Sequence, residues 1–189
     1  MRTAVAQLVA SDRVLALCAY CDQQPDRTTA VPTWQSWPST TEQLEPSSVA
    51  VARWLLAEVG TSAAHIVSVS GAAPDLAAAA SGIVLSPGDG LLVVADGSAG
   101  RHEKAPGHIR SGAHKFDDDV ARALAHGDAA ALRGLDPERA EQVLSCGAPA
   151  WRAAGHLVNG HAVRSSELLL TADPHHVAYF VATWQVDPD

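Results

Sequence analysis

Leu91-Leu92-Val93-Val94-Ala95-Asp96-Gly97-Ser98 is the stretch on which the reading of this chain turns. An apolar run bounded by Gly90 and by Asp96-Gly97 reads as a short, fully buried strand of the kind found mid-sheet in an α/β protein. Residues 99–115 follow as a polar loop punctuated by glycine and proline, with a helix expected from Phe116. In open α/β sheets, ligands bind in the crevice beyond the carboxyl ends of the strands, and this loop leaves such an end. It holds the only two lysines, Lys104 and Lys115, together with Arg101, Arg110 and three of the nine histidines, His102, His108 and His114. A cationic loop in an acidic chain marks the candidate site. Asp96, Ser98, His102 and Lys104 are the candidates for catalysis, and Arg101, Glu103, His108, Arg110 and His114 the candidates for ligand binding.

Composition sets the outer bounds. A chain of 189 residues is expected to form one domain with a sizeable core. Lys plus Arg total 13 against 21 Asp plus Glu, a net charge of -8, which argues against nucleic acid or an anionic membrane surface as partner. No apolar run reaches spanning length, and the first residues lack the pattern of a signal peptide. Three cysteines are too few, and odd in number, for a disulfide framework. That usage suits a reducing compartment, so a cytoplasmic location is expected.

Along the chain, residues 3–11 read as the end of an alanine-rich helix and residues 13–20 as a buried strand. Residues 21–46 turn polar, with Trp34 and Trp37 as islands, and form an irregular segment too long for an ordinary connection. Ser47 or Ser48 then caps a helix with Val51, Trp54, Leu55 and Val59 on one face and Gly60 as its stop. A strand at 64–70 and an alanine-rich helix at 74–80 precede the organising stretch. Beyond the loop, a helix over 116–126 buries Phe116, Val120, Ala123 and Leu124, while Asp117, Asp118 and Asp119 favour its positive end. Asp128 caps a short helix ending at Gly134, and Asp136-Pro137 opens another running to Cys146. A last helix covers 149–156, and strands at 163–170 and 177–184 flank Asp173-Pro174. The pattern predicts an α/β fold: a three-layer α/β/α sandwich with a mixed central sheet.

Other motifs carry less chemistry. Cys18-Ala-Tyr-Cys21 has the spacing of a redox pair or half a zinc site, but the first Cys ends a strand instead of starting a helix, so we read it as buried strand cysteine. His156 and His161 flank a turn and His175-His176 sit in the final hairpin; none of the histidines has a structural zinc spacing. An iron site of two histidines and a carboxylate draws its ligands from separate segments, so it leaves no local signature. His102-Glu103-Lys104 reads equally as an acid–base group or a surface charge cluster. No G-x-S-x-G surrounds Ser98, and Ser86-Pro-Gly-Asp-Gly90 is a turn and not a phosphate loop.

Five blocks in order, Leu91 to Ser98, Glu103-Lys-Ala-Pro-Gly107, Phe116-Asp117, Ala148-Pro-Ala-Trp151 and Val177-Ala-Tyr-Phe-Val-Ala-Thr-Trp184, resemble the subunit-B-like domain of class III extradiol ring-cleavage dioxygenases, in an alanine-rich branch. The resemblance covers residues 91–184 well and the first half in layout. It implies the same α/β/α fold. It also implies, for active members, Fe(II) held by two histidines and a glutamate, with a further histidine as acid–base catalyst. This chain departs at three of those four positions, and His65 is the one loose candidate for the fourth. In the catalytic block Asp96 and Ser98 match, but the histidine position holds Ala99. No histidine precedes His65, where the first metal ligand belongs, and the chain is expected to start after the superfamily's opening strand. Gly147 stands where the metal glutamate is expected, four residues before Trp151.

Two expectations follow. The first is a dioxygenase-like protein without a competent iron site and with no cofactor, binding a small, anionic ligand or a partner. The second is an active metal-dependent enzyme using Fe(II) in a relocated site built from His102, Glu103, Lys104, His108 and His114. A sheet lacking its opening strand leaves an edge for another element to cover, so a homo-oligomer is expected, with residues 21–46 or the last strand at the contact.

Overall fold

The computed structural model describes residues 2–20, 46–70 and 83–187. Its centre is β1 (Arg13–Tyr20), flanked by β2 (His65–Ser70) and β3 (Asp89–Val94), all parallel. Leu15 lies beside His65 and Leu91, and Cys18 beside Ser68 and Val94. Every residue from Val14 to Ala19 is buried, as an all-apolar strand must be when both of its faces are covered. Leu15, Leu17 and Ala19 face Ala150 and Ala153 of a helix spanning Ala148–Leu157. Ala16 and Cys18 face Val49 and Ala52 of a helix spanning Ser47–Glu58. Small residues at these contacts let helix and strand backbones approach closely. The α/β class is therefore observed, with a helix on each face of the parallel sheet.

Among the described residues the helices are, in chain order, α1 (Arg2–Ala6), α2 (Ser47–Glu58), α3 (Ala113–His126), α4 (Ala129–Arg133), α5 (Pro137–Gln142) and α6 (Ala148–Leu157). Strands β4 (Val163–Ala172) and β5 (Tyr179–Val186) form an antiparallel hairpin. Among the described residues this hairpin is a sheet of its own, so the expected mixed sheet is divided in two. The two parts touch where the chain leaves β3: Gly97 N–H donates to Ala178 O (2.8 Å), and Ala178 N–H donates to Ser98 O (3.1 Å). Pairing stops there because Ala99 N–H turns to Leu144 O instead (3.3 Å). A second core unites Phe116, Val120, Ala123, Leu132, Val143 and Trp151 with Phe180 and Trp184. Trp151 and Phe180 meet edge to face at 5.9 Å, and Trp184 Nε1–H donates to Leu124 O at 2.7 Å.

Several expectations need correction. The strand at 91–94 is neither central nor fully buried; the central strand is β1, and Leu91 to Val94 are half-buried on the outer side of the described sheet. The buried face of α2 is Val49, Ala52, Leu55 and Leu56, while Val51 and Trp54 are exposed. The periodicity was right and its phase wrong, because Trp54 carried more weight in the pattern than the small Ala52 that meets β1. Helix α3 starts at Ala113 instead of Phe116, which moves Asp117 from the solvated end of the helix into its buried face. The caps at Asp128 and Asp136 form as expected, each side chain accepting from backbone N–H groups of the first turn. Helix α5 ends at Gln142, before Cys146, since Leu144 takes a left-handed backbone (φ 57°). Cys18 is buried in β1, and Cys146 is disulfide-bonded where the odd cysteine count led us to expect no framework. Cys21, the rest of the polar segment to residue 45, and the helix expected at 74–80 lie outside the described residues.

Candidate functional site

Three segments converge where β3 ends: the turn at Asp96-Gly97, the entry to α6 at Gly147, and the residue before β5, Ala178. Glycine is required at both approaches. A Cβ on Gly147 would stand 2.2 Å from Asp96 O, and one on Gly97 would stand 2.5 Å from Ala178 Cβ. Gly147 N–H donates to Asp96 O at 3.0 Å, and Ser145 Oγ contacts the same carbonyl at 3.4 Å. Asp96 keeps solvent access, yet the protein around its carboxyl disfavours the charged form and raises its pKa above the ordinary carboxylate value. Tyr179 opens β5 close by. Burial raises the pKa of its phenol, and the charge of Asp96 raises it further.

Ser98 and Asp117 form the anchor of the loop. Both are fully buried, at 0% and 1% exposure. Ser98 N–H donates to Asp117 Oδ1 (2.9 Å) and Ser98 Oγ–H to Asp117 Oδ2 (2.6 Å). Arg101 Nη1 donates to the same Oδ2 at 3.2 Å, and Arg101 Nε lies 3.7 Å from Asp173 Oδ2. A buried carboxylate needs this company, since an unpaired charge in the interior is expensive. The hydroxyl of Ser98 is thus committed to a carboxylate and is not poised for attack.

The loop histidines bind the loop itself. His102 Nδ1 accepts from Lys104 N–H at 3.0 Å, which places the proton of its neutral ring on Nε2. His108 Nδ1 meets Glu103 O at 2.8 Å and His114 Nε2 meets Arg101 O at 3.1 Å, so each of these nitrogens is the donor. Arg110 Nε donates to Gly107 O at 3.0 Å. His102, Glu103, Lys104, His108, Arg110 and His114 are all exposed.

Opposite the loop stands the turn that joins β4 to β5. His175 (φ 57°) and His176 (φ 62°) are both left-handed, and Val177 N–H donates to Pro174 O at 3.4 Å. This is the geometry of a type I′ turn, which favours Asn-Gly. The His176 ring stacks on the ring of His102, with centroids 4.3 Å apart and planes 14° from parallel. Of the residues singled out in the sequence, Ser98 and Arg101 therefore meet through Asp117, and His102 meets His176, while Asp96 lies on the β5 side with Tyr179. Asp117, Asp173, His176 and Tyr179 were missed. A hydroxyl or carboxylate destined for the interior carries no local mark, although two histidines at a hairpin turn did.

Arg101, His102, Lys104 and Arg110 line neither of two concavities found among the described residues. Concavities of about 350 and 300 Å³ lie on the α3–α5 side: Arg122, His126 and Asp128 help line the first, and Phe116, Leu135 and Arg139 the second. Lys115 borders the second. Among the described residues no three His, Cys, Asp or Glu side chains are grouped so as to hold a metal ion. The Fe(II) of the resembled family therefore finds no fitting ligand set in the described residues. No described helix is long and apolar enough to cross a membrane. No protein-family model matches the chain, and no curated protein matches it.

Proposed function

We propose that the chain is a class III extradiol dioxygenase-like domain without ring-cleaving chemistry, which binds a small anionic ligand or a partner at the carboxyl end of β3. The finer fold belongs to the same proposal: a three-layer α/β/α arrangement in which the β4–β5 hairpin extends the parallel sheet. One observation carries it. Ser98, which matches the family's catalytic block, gives its hydroxyl to the buried Asp117, and the next position is Ala99 in place of the acid–base histidine. General acid–base catalysis is worth about 10²–10⁴ in rate, and the methyl group of Ala99 cannot supply it. Lys104 and Arg110 are exposed in the loop, which favours a small carboxylate or phosphate over a neutral ligand.

The reading of an active enzyme with a relocated site fares worse. His102 presents no lone pair from Nε2 while its Nδ1 accepts the Lys104 N–H, and among the described residues no three His, Cys, Asp or Glu side chains are grouped so as to hold a metal ion. The test is metal analysis of native protein together with an assay on protocatechuate and catechol after Fe(II) loading. We expect no ring-opened product above a no-protein control. Stoichiometric iron, manganese or zinc with iron-dependent product would overturn the proposal. A thermal-shift screen with phosphate and simple carboxylates tests the binding half; stabilisation should vanish in Lys104→Ala/Arg110→Ala.

A further inference from the structure

We propose that the stacked rings of His102 and His176 are a pH-sensitive clasp, which holds the β4–β5 turn against the loop in neutral solution and lets it go in acid. The proposal goes beyond the ligand-site reading and stands without it. Imidazole is the side chain that ordinarily changes charge between about pH 5 and 8. Two such rings lie face to face here, with centroids 4.3 Å apart and planes 14° from parallel. Uncharged, they pack as other flat rings do. With both rings protonated, two like charges face each other across that gap. Charging His102 also costs a bond, because its Nδ1 accepts from Lys104 N–H at 3.0 Å and a second proton on the ring must go there.

The charged and titratable groups flanking the pair are Arg101, Glu103 and Lys104 in the loop, His114 at the start of α3, and Asp173 and His175 in the turn. Arg101 and Lys104 add to the repulsion, whereas Glu103 and Asp173 oppose it, although Asp173 already faces Arg101 Nε at 3.7 Å. The loop does not yield. Buried Asp117 accepts from Ser98 and Arg101, and His114 Nε2 donates to Arg101 O. The turn is the weaker side. His175 and His176 are left-handed, a conformation that their own Cβ atoms disfavour and that persists only where surrounding contacts impose it. Ala172 stays paired with Tyr179, and Ala178 stays bonded to Gly97 and Ser98, so the response is confined to residues 173–177.

Amide hydrogen exchange on the full-length chain at pH 7.5 and pH 5, corrected for the intrinsic pH dependence of exchange, tests the clasp. The reporters are His176 N–H (to Asp173 O, 2.9 Å) and Val177 N–H (to Pro174 O, 3.4 Å). Protection of both should fall about fivefold or more in acid, the effect of two unit charges 4.3 Å apart even at the dielectric constant of water. Amides in the middle of β5 should keep theirs. His102→Phe preserves a ring beneath His176 but cannot take a proton, so the turn of this variant should be equally protected at both pH values. Protection in the parent that does not change with pH, the same fall in His102→Phe, or an equal fall along all of β5 would overturn the clasp. No ligand or metal enters the experiment, so its failure is distinct from failure of the proposed function.

Discussion

Removing the carboxylate of Asp117 gives the sharpest test of how the loop is held. Its oxygens accept from Ser98 N–H, Ser98 Oγ and Arg101 Nη1 at 2.9, 2.6 and 3.2 Å, and its side chain is 1% exposed. Asp117→Ala leaves a buried N–H and hydroxyl without an acceptor and strips a largely buried guanidinium of its main partner. Breaking a buried pair from one side costs about 3–5 kcal/mol. At roughly 2–4 °C per kcal/mol for a chain of this size, the melting temperature should fall by about 6–20 °C. Asp117→Asn keeps one acceptor for Ser98 N–H but points an amide NH₂ at the hydroxyl or the guanidinium, and should cost about half as much. Ser98→Ala removes one bond and leaves two on the carboxylate, a loss of about 1–2 kcal/mol. Thermal and urea denaturation of the three variants, with a Ser98→Ala/Asp117→Ala cycle, gives the coupling. A loss below about 1 kcal/mol in Asp117→Ala would refute the reasoning, because such a value belongs to a solvent-exposed pair.

Asp96→Asn tests the raised carboxyl. The folded state holds this proton more tightly than the unfolded chain, so its contribution to stability falls as pH rises from the ordinary carboxylate value through the raised one. The variant should therefore melt higher than the parent at pH 7 and no higher at pH 3, and the Tyr179 phenol should ionise at lower pH by absorbance at 295 nm. Arg13→Ala probes the parallel pairing of β1 with β3, where Arg13 and Asp89 are register partners. Asp89 is held below the ordinary carboxylate value chiefly by its hydrogen bond from Arg13, so the parent should lose stability as pH falls through that lowered value and the variant should lack this step in acid titration. Gly147→Ala forces a Cβ to within 2.2 Å of Asp96 O and should cost about 1–3 kcal/mol by denaturant melts, whereas Gly160→Ala meets open space and is limited by its backbone alone.

Periodicity and capping alone fixed most of the elements. The unbroken apolar run Val14 to Ala19 required a strand covered twice, Asp128 and Asp136 announced their helices, and Gly97 with Asp96 marked the end of β3. These are local effects: a cap side chain bonds backbone two or three residues away, and burial on both faces leaves its mark on each successive residue. The loop at 99–115 was legible as a place, because its cations and glycines stand out against an acidic, alanine-rich chain. Tertiary structure alone decided what its residues do there. Ser98 and Asp117 are 19 positions apart, His102 and His176 farther still, and nothing near either pair announces the other. The same separation hid the phase of α2 and the burial of Asp117. A charge pattern read along one helix cannot show which face the neighbouring strand will cover, and that choice is made by contacts distant in sequence.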